Sequence, residues 1–149
     1  MFLDVDHFKK INDTYGHQTG DRVLKHMVSL IKEQVRSCDI VARYGGEEFV
    51  VALPMTTIQA AHDVAERLRL AICSATLNFN DKPLRFWISI GIACLKSLMT
   101  IQPLDLDTLS AALLDKADQA LYLAKSGGRN QVTVYGSRPV PMKSMQEPS

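Results

Sequence analysis

Residues 43–54 read RYGGEEFVVALP, in which two glycines and two adjacent carboxylates open a strongly apolar strand. Gly45 and Gly46 separate two segments rich in β-branched residues, which predicts a β-hairpin with a two-residue type I′ turn. Two glycines also leave the backbone open to a close ligand. Because strand neighbours point to opposite faces, at most one of Glu47 and Glu48 faces a given site. A carboxylate beside a buried strand is costly, so the charge requires a partner.

The hydrophobic pattern on either side of this hairpin predicts alternating strands and helices. The predicted strands are 1–5, 39–44, 48–54, 84–95 and 130–135, and the predicted helices are 6–16, 19–36, 57–75 and 107–126. Asp6 is interpreted as the N-cap of the first helix, and two glycines follow the last. The resulting β-α-α-β-β-α-β-α-β order predicts an α/β fold: an α+β sandwich of the ferredoxin-like or palm-type βαββαβ kind, with a mostly antiparallel sheet flanked by helices.

The composition indicates a compact cytoplasmic domain. The chain has 149 residues, 46% hydrophobic and 22% charged, with a formal net charge of +1. This suits one sizeable core and provides no broad field for a nucleic acid polymer. Three distant cysteines without a CxxC motif favour a reducing compartment over a disulfide framework or a zinc site. No apolar run approaches the roughly 20 residues that span a bilayer, so this segment is expected to make no membrane contact.

The two ends of the chain differ from its middle. The first residues lie inside a predicted strand, so a sensory or dimerising segment is expected upstream, and membrane attachment through that segment is left open. Residues 136–149 hold three of the six prolines and few residues that could pack. The folded domain is therefore predicted to be 1–135, followed by a disordered C-terminal tail.

Acidic residues at the end of the first strand suggest a metal site. Asp4 lies in an apolar strand, and in a βαββαβ sheet that strand neighbours the hairpin, so Asp4 and Glu47 can converge on one divalent cation. Two carboxylates, a backbone carbonyl and phosphate oxygens suit Mg²⁺. The start of the next helix offers free N–H groups to a phosphate, and the chain has no P-loop motif. Taken alone, the same residues also fit a plain hairpin and a helix cap.

Three segments together resemble a known family: LDVDHFKKINDTYGHQTGD (3–21), RYGGEEF (43–49) and AKSGGRN (124–130). They are similar to the GGDEF domain of diguanylate cyclases, in its GGEEF variant, over residues 1 to about 135. An LTGLxNRR-like stretch that normally precedes the first strand in this family is missing. The resemblance implies synthesis of cyclic di-GMP from two GTP with release of two pyrophosphates. It also implies a homodimer, since each subunit supplies half of the active site.

The resemblance implies roles for individual residues. Asp4, the carbonyl of Val5 and Glu47 correspond to ligands of Mg²⁺, with Mn²⁺ as an alternative. Glu47 also corresponds to the group that activates the attacking 3′-hydroxyl, with Glu48 near the metals. The implied substrate contacts are Phe8 and catalytic Lys9 at the β- and γ-phosphates, Asn12 and Asp21 at guanine and ribose with His17 nearby, Gly45 and Gly46 at the turn, and Lys125 and Arg129 at the phosphates. Taken individually, Asn12 also fits an ordinary turn residue, and Lys125 and Arg129 also fit ordinary cations near the C-terminus of a helix.

Arg36 and Asp39 form an RxxD motif with five residues between it and Gly45. Without the resemblance this is an (i, i+3) charge pair at a helix end, worth under roughly 1 kcal/mol. In the GGDEF family this spacing resembles an inhibitory site for the product, and Arg67 corresponds to a further arginine of that site. Feedback inhibition is therefore expected.

Three other interpretations compete with a GTP-dependent enzyme. A catalytically inactive domain that senses cyclic di-GMP or GTP would be expected to lose an acid or a phosphate-binding cation, and the motif is intact. A purely structural α/β domain does not explain the acids and bases at its loops. A cyclase acting on ATP has no support at Asn12 and Asp21, because an amide and a carboxylate together suit the edge of guanine.

Overall fold

The computed structural model describes residues 1–79, 82–98 and 105–136. The strands in these ranges are β1 (Phe2–Val5), β2 (Ile40–Gly45), β3 (Glu48–Ala52), β4 (Leu77–Phe79), β5 (Lys82–Leu84), β6 (Ile88–Ile92) and β7 (Val132–Val134). The helices are α1 (Phe8–Tyr15), α2 (His17–Gln34), α3 (Ile58–Ser74) and α4 (Leu106–Ser126), and a 3₁₀ turn covers Leu95–Ser97. Apart from Gly136, the predicted tail lies outside the described residues.

Five strands form one sheet in the order β2-β3-β1-β6-β7. All neighbours are antiparallel except β6 and β7. The strand that carries Asp4 lies directly beside the hairpin, as predicted. The mostly antiparallel sheet with flanking helices confirms the predicted fold class.

Alternation along β1 assigns its side chains to two different layers. Leu3 and Val5 are buried in the larger core with residues of α2 and α3, such as Met27 and Leu68. Phe2 instead packs with residues of α4, including Leu121. Asp4 has the same parity as Phe2 and therefore lies on the α4 side of the sheet. This position decides which cations can reach its carboxylate.

The predicted strand 84–95 is too long, because its ladder begins only at Ile88, opposite Val5 at the end of β1. Leu84 pairs with Leu77 in a separate ladder, and residues 85–87 belong to no strand, although Leu84 and Phe86 are buried. A short β4–β5 hairpin lies between α3 and β6, where the sequence predicted no strand before residue 84. The second helix spans His17–Gln34 instead of 19–36.

The turn of the β2–β3 hairpin is shifted by one residue from the prediction. Gly45 pairs with Glu48, so the two central residues of the turn are Gly46 and Glu47. Among the glycines of this turn, only Gly46 has a positive φ, +39°. A type I′ turn centred on Gly45 and Gly46 is therefore wrong, because it needs positive φ at both. Glu47 consequently lies at the tip of the turn, and Glu48 begins β3.

The assignment of Asp6 as a helix N-cap is also wrong. The N-cap of α1 is His7, which has a left-handed φ of 56° and makes no side-chain capping hydrogen bond. Asp6 precedes His7 and is buried, and its carboxylate accepts hydrogen bonds from β6 and from the loop after α4.

In the described part of the chain, no helix is long and apolar enough to cross a membrane.

Candidate active site

An ion pair between Asp4 and Lys125 lies at the centre of the candidate site. Asp4 is only 5% exposed in the middle of the sheet. Lys125 lies in the last turn of α4, and its Nζ is 2.7 Å from Oδ2 of Asp4. Because α4 packs across β6 and β1, its final turn ends above the carboxyl end of β1. The pair thus joins two of the predicted site residues directly.

The electrostatics around Asp4 show an excess of negative charge. Burial raises the pKa of Asp4 to about 6, although the hydrogen bond and the charge of Lys125 lower it. The nearby charges of Glu47 and Glu48 raise the pKa further. One ammonium therefore does not balance the three carboxylates, and a further cation would be stabilised at this position.

The donor set fits a magnesium ion. In the β1–β3 register Asp4 lies opposite Glu48, and Glu47 precedes that residue at the turn. Among the described residues, no group of three or more His, Cys, Asp or Glu side chains forms a ready cluster for a metal. Mg²⁺ accepts such a sparse set, because it commonly uses one or two carboxylates together with water and substrate phosphates. The carbonyl of Val5, at the end of β1, would supply a third protein oxygen.

The raised pKa of Asp4 predicts a pH effect on the stability of the metal-free protein. The folded state holds this proton more tightly than the unfolded state, in which the carboxyl group has its ordinary pKa of 3.8. Stability from this group is therefore present below pH 4 and lost as pH rises through about 6. In EDTA, the free energy of unfolding of Asp4→Asn minus that of wild type should increase between pH 4 and 6 and then level off. Urea titrations at several pH values measure this difference, and a pH-independent difference would contradict the assignment.

The predicted phosphate contacts surround the same end of β1. Phe8 and Lys9 begin α1 shortly after the strand; the phenyl ring is half-buried and the lysine is exposed. Arg129 is exposed in the loop after α4, four residues from Lys125. The next residue, Asn130, is hydrogen-bonded to Asp6. The three cations Lys9, Lys125 and Arg129 are thus carried by segments that meet at this strand end.

Asn12 brings an unpaired acceptor to the junction of α1 and α2. Its Oδ1 atom is buried and has no hydrogen-bond partner. The side chain lies against Gly20, where an added Cβ would overlap it. A buried acceptor without a partner is costly, so this oxygen is suited to an incoming N–H group. The absence of a Cβ at Gly20 leaves room for the Asn12 side chain in this position.

The other two predicted nucleoside contacts lie at the start of α2. His17 is its first residue, and Asp21 follows one turn later on the same face. Both side chains are exposed. Asp21 also lines a cavity of about 600 Å³ whose apolar walls include Leu24 and Phe49. Of the predicted nucleoside contacts, Asp21 is therefore the one that borders this open space.

The turn of the hairpin is open and braced from one side. A Cβ added at Gly46 would meet no atom within 4 Å, and one at Gly45 would meet only Glu48, at 3.8 Å. The guanidinium of Arg43 donates to the carbonyl of Gly46 from Nε at 3.0 Å and from Nη2 at 2.7 Å. Arg43 is part of the RYGGEEF segment, but no role was predicted for it from the sequence. It fixes the turn that presents Glu47.

The predicted product-binding residues form a separate group. The Asp39 carboxylate accepts the backbone N–H of Arg36 at 2.7 Å, so the expected charge pair is a hydrogen bond to the main chain. Arg67 donates from α3 to the side chain and the carbonyl of Gln34, at 2.8 and 2.7 Å. The group lies at the opposite end of β2 from the turn. At roughly 3.3 Å per residue, this separation is about 20 Å.

A buried cluster around Asp6 was not predicted from the sequence. The Oγ atom of Ser89 donates to its Oδ1 at 2.7 Å, and the backbone N–H of Asn130 donates to its Oδ2 at 2.9 Å. These partners are 83 and 124 positions away in the sequence. Hydrogen bonds between residues so far apart in the sequence leave no signal in the local hydrophobic pattern.

The sequence and the fold of the chain are similar to those of known proteins of one family. Residues 1–131 match the model of the family described as "Diguanylate cyclase, GGDEF domain". The chain is 42% identical over 132 residues to diguanylate cyclase DgcP of Pseudomonas aeruginosa, a match that covers 89% of the chain and 18% of that protein. It is 41% identical over 134 residues to diguanylate cyclase A of Treponema denticola, a match that covers 90% of the chain and 34% of that protein. A solved structure, the GGDEF domain of DgcB from Caulobacter crescentus in complex with c-di-GMP, superposes with a TM-score of 0.79.

That DgcB structure is 34% identical to the chain, and the match covers 91% of the chain and 76% of the DgcB domain. The chain therefore belongs to the GGDEF domain family. It spans about a third or less of the length of the two curated relatives. The fold and the family match therefore agree.

Proposed function

We propose that this domain is a diguanylate cyclase, which condenses two GTP molecules into cyclic di-GMP and releases two pyrophosphates. The observation that carries the proposal is the meeting of buried Asp4, the turn residue Glu47 and the cation Lys125 at one strand end. The names of the two curated relatives and the c-di-GMP bound to the DgcB domain support the same reaction.

The reaction places specific demands on the residues of this site. The 3′-oxygen of one GTP attacks the α-phosphorus of the other; a new O–P bond forms, and the bond to the leaving pyrophosphate breaks. Glu47 accepts the proton of the attacking hydroxyl, since it lies at the open turn. Lys9, Lys125 and Arg129 bind the triphosphate and offset the charge of the departing pyrophosphate. Asp4, Val5 and Glu47 would hold Mg²⁺, with Mn²⁺ as a substitute, which supplies charge stabilisation for the phosphoryl group.

The second half of the active site comes from a second copy of the domain. One set of site residues binds one GTP, and two attacks are needed to close the cyclic product. Two domains must therefore face each other with their β2–β3 turns adjacent. We assign control of this encounter to a sensory or dimerising segment upstream in the full-length protein.

Asn12 selects guanine. Its buried, unpaired Oδ1 atom can accept a hydrogen bond from the N–H groups of the guanine edge, whereas adenine presents an acceptor there. Replacing Asn12 with alanine should lower kcat/KM for GTP by about ten- to a hundredfold, since the contact is buried. The preference for GTP over ATP should fall in parallel. Steady-state kinetics with both nucleotides measures this, and the neighbouring exposed Asp13→Ala variant is the control. An unchanged GTP preference would contradict the role.

Arg36, Asp39 and Arg67 form a product-binding site that inhibits the enzyme. The Arg36 side chain is exposed, and a guanidinium can bind the O6 and N7 atoms of guanine with two hydrogen bonds. In the Arg36→Ala enzyme, inhibition by added cyclic di-GMP should weaken at least tenfold, while initial turnover stays within a factor of about two. Product titration measures the effect, with exposed Arg85→Ala as the control. Unchanged inhibition would place the inhibitory product elsewhere.

Incubation with GTP and Mg²⁺, followed by chromatographic separation of products, tests the proposed function. A molecule composed of two guanylates should accumulate together with pyrophosphate in a 1:2 ratio, and ATP should yield neither. Because catalysis needs two copies, the assay is run over a range of protein concentrations. Binding of GTP without any product at every concentration would favour the inactive sensor instead.

A further inference from the structure

Asp6 has no role in the proposed chemistry, yet it is among the most completely buried polar residues described, at 3% exposure. Its backbone N–H donates to the carbonyl of Trp87 at 2.9 Å, and its carboxylate accepts from Ser89 and from the main chain of Asn130. A buried carboxylate is retained at a cost, so this arrangement calls for a function.

The loop after α4 has a backbone that needs external support. Arg129 and Asn130 have positive φ values of 65° and 44°, in succession and without a glycine at either position. Left-handed conformations are unfavourable for residues with a Cβ, and they persist only where neighbouring structure holds them. The N–H of Arg129 bonds to the carbonyl of Ala124 at 3.0 Å. The N–H of Asn130 bonds to Asp6, so both amides of the strained pair are fixed.

A second brace reaches the loop from α3. Nη1 of Arg69 donates to Oδ1 of Asn130 at 3.1 Å, and the guanidinium is itself held by Glu66 at 2.8 Å. The main chain of Asn130 is thus held by Asp6 and its side chain by Arg69. The preceding side chain, Arg129, remains exposed and is the one proposed to bind phosphate.

We propose that Asp6 is a positioning residue: by binding the N–H of Asn130, its carboxylate fixes the left-handed loop and aims Arg129 at the terminal phosphates of the nucleotide. Asp4 and Asp6 are alternate residues at the end of β1, and each ties that strand end to the α4 terminus. Asp4 binds Lys125 directly, whereas Asp6 acts on Arg129 through the backbone. This inference rests on the proposed function, because it takes Arg129 as a phosphate ligand.

Nucleotide binding tests the inference without requiring turnover. Asp6→Ala should weaken GTP binding by about tenfold and leave binding of GMP, which lacks the β- and γ-phosphates, unchanged. Asp6→Asn should bind GTP nearly as well as wild type, because its amide oxygen still accepts the N–H of Asn130. The double variant Asp6→Ala/Arg129→Ala should bind GTP no more weakly than Arg129→Ala alone. Ser89→Ala, which removes only the other hydrogen bond of Asp6, should have a smaller effect.

Calorimetric titrations of both nucleotides into each folded variant give these affinities. If Asp6→Ala does not fold, Arg69→Ala removes the second brace and should shift GTP affinity in the same direction, again without a change for GMP. Equal losses for GTP and GMP, or additive losses in the double variant, would overturn the inference while Arg129 remains a phosphate ligand. An Arg129→Ala protein with unchanged GTP affinity would overturn both the inference and that part of the proposed function.

Discussion

Glu47→Gln should reduce the rate of cyclic di-GMP synthesis by about 10²- to 10³-fold, which corresponds to about 3 to 4 kcal/mol of lost transition-state stabilisation. Glutamine keeps the size of the side chain but removes the charge and the capacity to accept a proton. The residue lies at the tip of a turn and contributes to no buried core cluster among the described residues, so the fold should be unchanged. Affinity for GTP should change far less than turnover, because the lost interaction belongs to the reacting hydroxyl and the metal.

Single-turnover rates and thermal melting of this variant separate chemistry from stability. Glu33→Gln, an exposed carboxylate in the last turn of α2, is the matched control and should keep wild-type activity. Near-normal turnover of Glu47→Gln would remove the residue from the catalytic step. A large fall in melting temperature would instead indicate a structural role for the turn.

Lys125→Ala should have two effects of opposite sign. It should lower kcat/KM for GTP by at least about a hundredfold, because a partly buried cation that binds the phosphates is lost. In the absence of nucleotide and at a pH well above the pKa of Asp4, it should also increase the apparent affinity for Mg²⁺. The ammonium is 2.7 Å from Oδ2 of Asp4 and therefore competes with any other cation for that oxygen. A buried carboxylate without its partner lowers stability, so the variant should gain more from added metal than wild type does.

Thermal melting in EDTA and in increasing Mg²⁺ measures the second effect, and steady-state kinetics measures the first. Lys116→Ala is the matched control, because it also removes a lysine of α4 but not one that contacts Asp4. The Lys116 ammonium instead lies over the ring of Tyr135, 5.0 Å from the ring centroid. It should change neither the kinetics nor the response to metal. Identical Mg²⁺ responses of wild type and Lys125→Ala would show that Asp4 does not bind the ion.

Much of the fold was predictable because the apolar residues of the core recur at helical or strand spacing along short stretches of the sequence. The apolar character of residues 1–5 and the helical spacing in α2 placed these elements within a few residues of their observed ends, and α4 was predicted equally closely. The hairpin was placed correctly, but its turn was shifted by one residue because the Gly45–Glu48 pairing depends on tertiary register. The β4–β5 hairpin was missed because its strands have only three residues each.

The candidate site was predictable only where its residues lie in contiguous motifs. Asp4 and Lys125 were both named from the sequence, but their ion pair depends on how α4 crosses the sheet. Asp6 was assigned to a cap because an acidic residue before a helix usually has that role, and its true partners lie far along the chain. Long-range polar contacts of this kind leave no periodic signal.

The most direct test of the central claim is the position of a divalent cation in crystals of the chain grown with a non-hydrolysable GTP analogue and Mn²⁺. Anomalous scattering should show manganese between the carboxylates of Asp4 and Glu47, within about 2.3 Å of an oxygen of each and in contact with a phosphate oxygen of the analogue. Manganese bound only elsewhere, with the Asp4 carboxylate still paired to Lys125 and the Glu47 side chain turned away, would contradict the account.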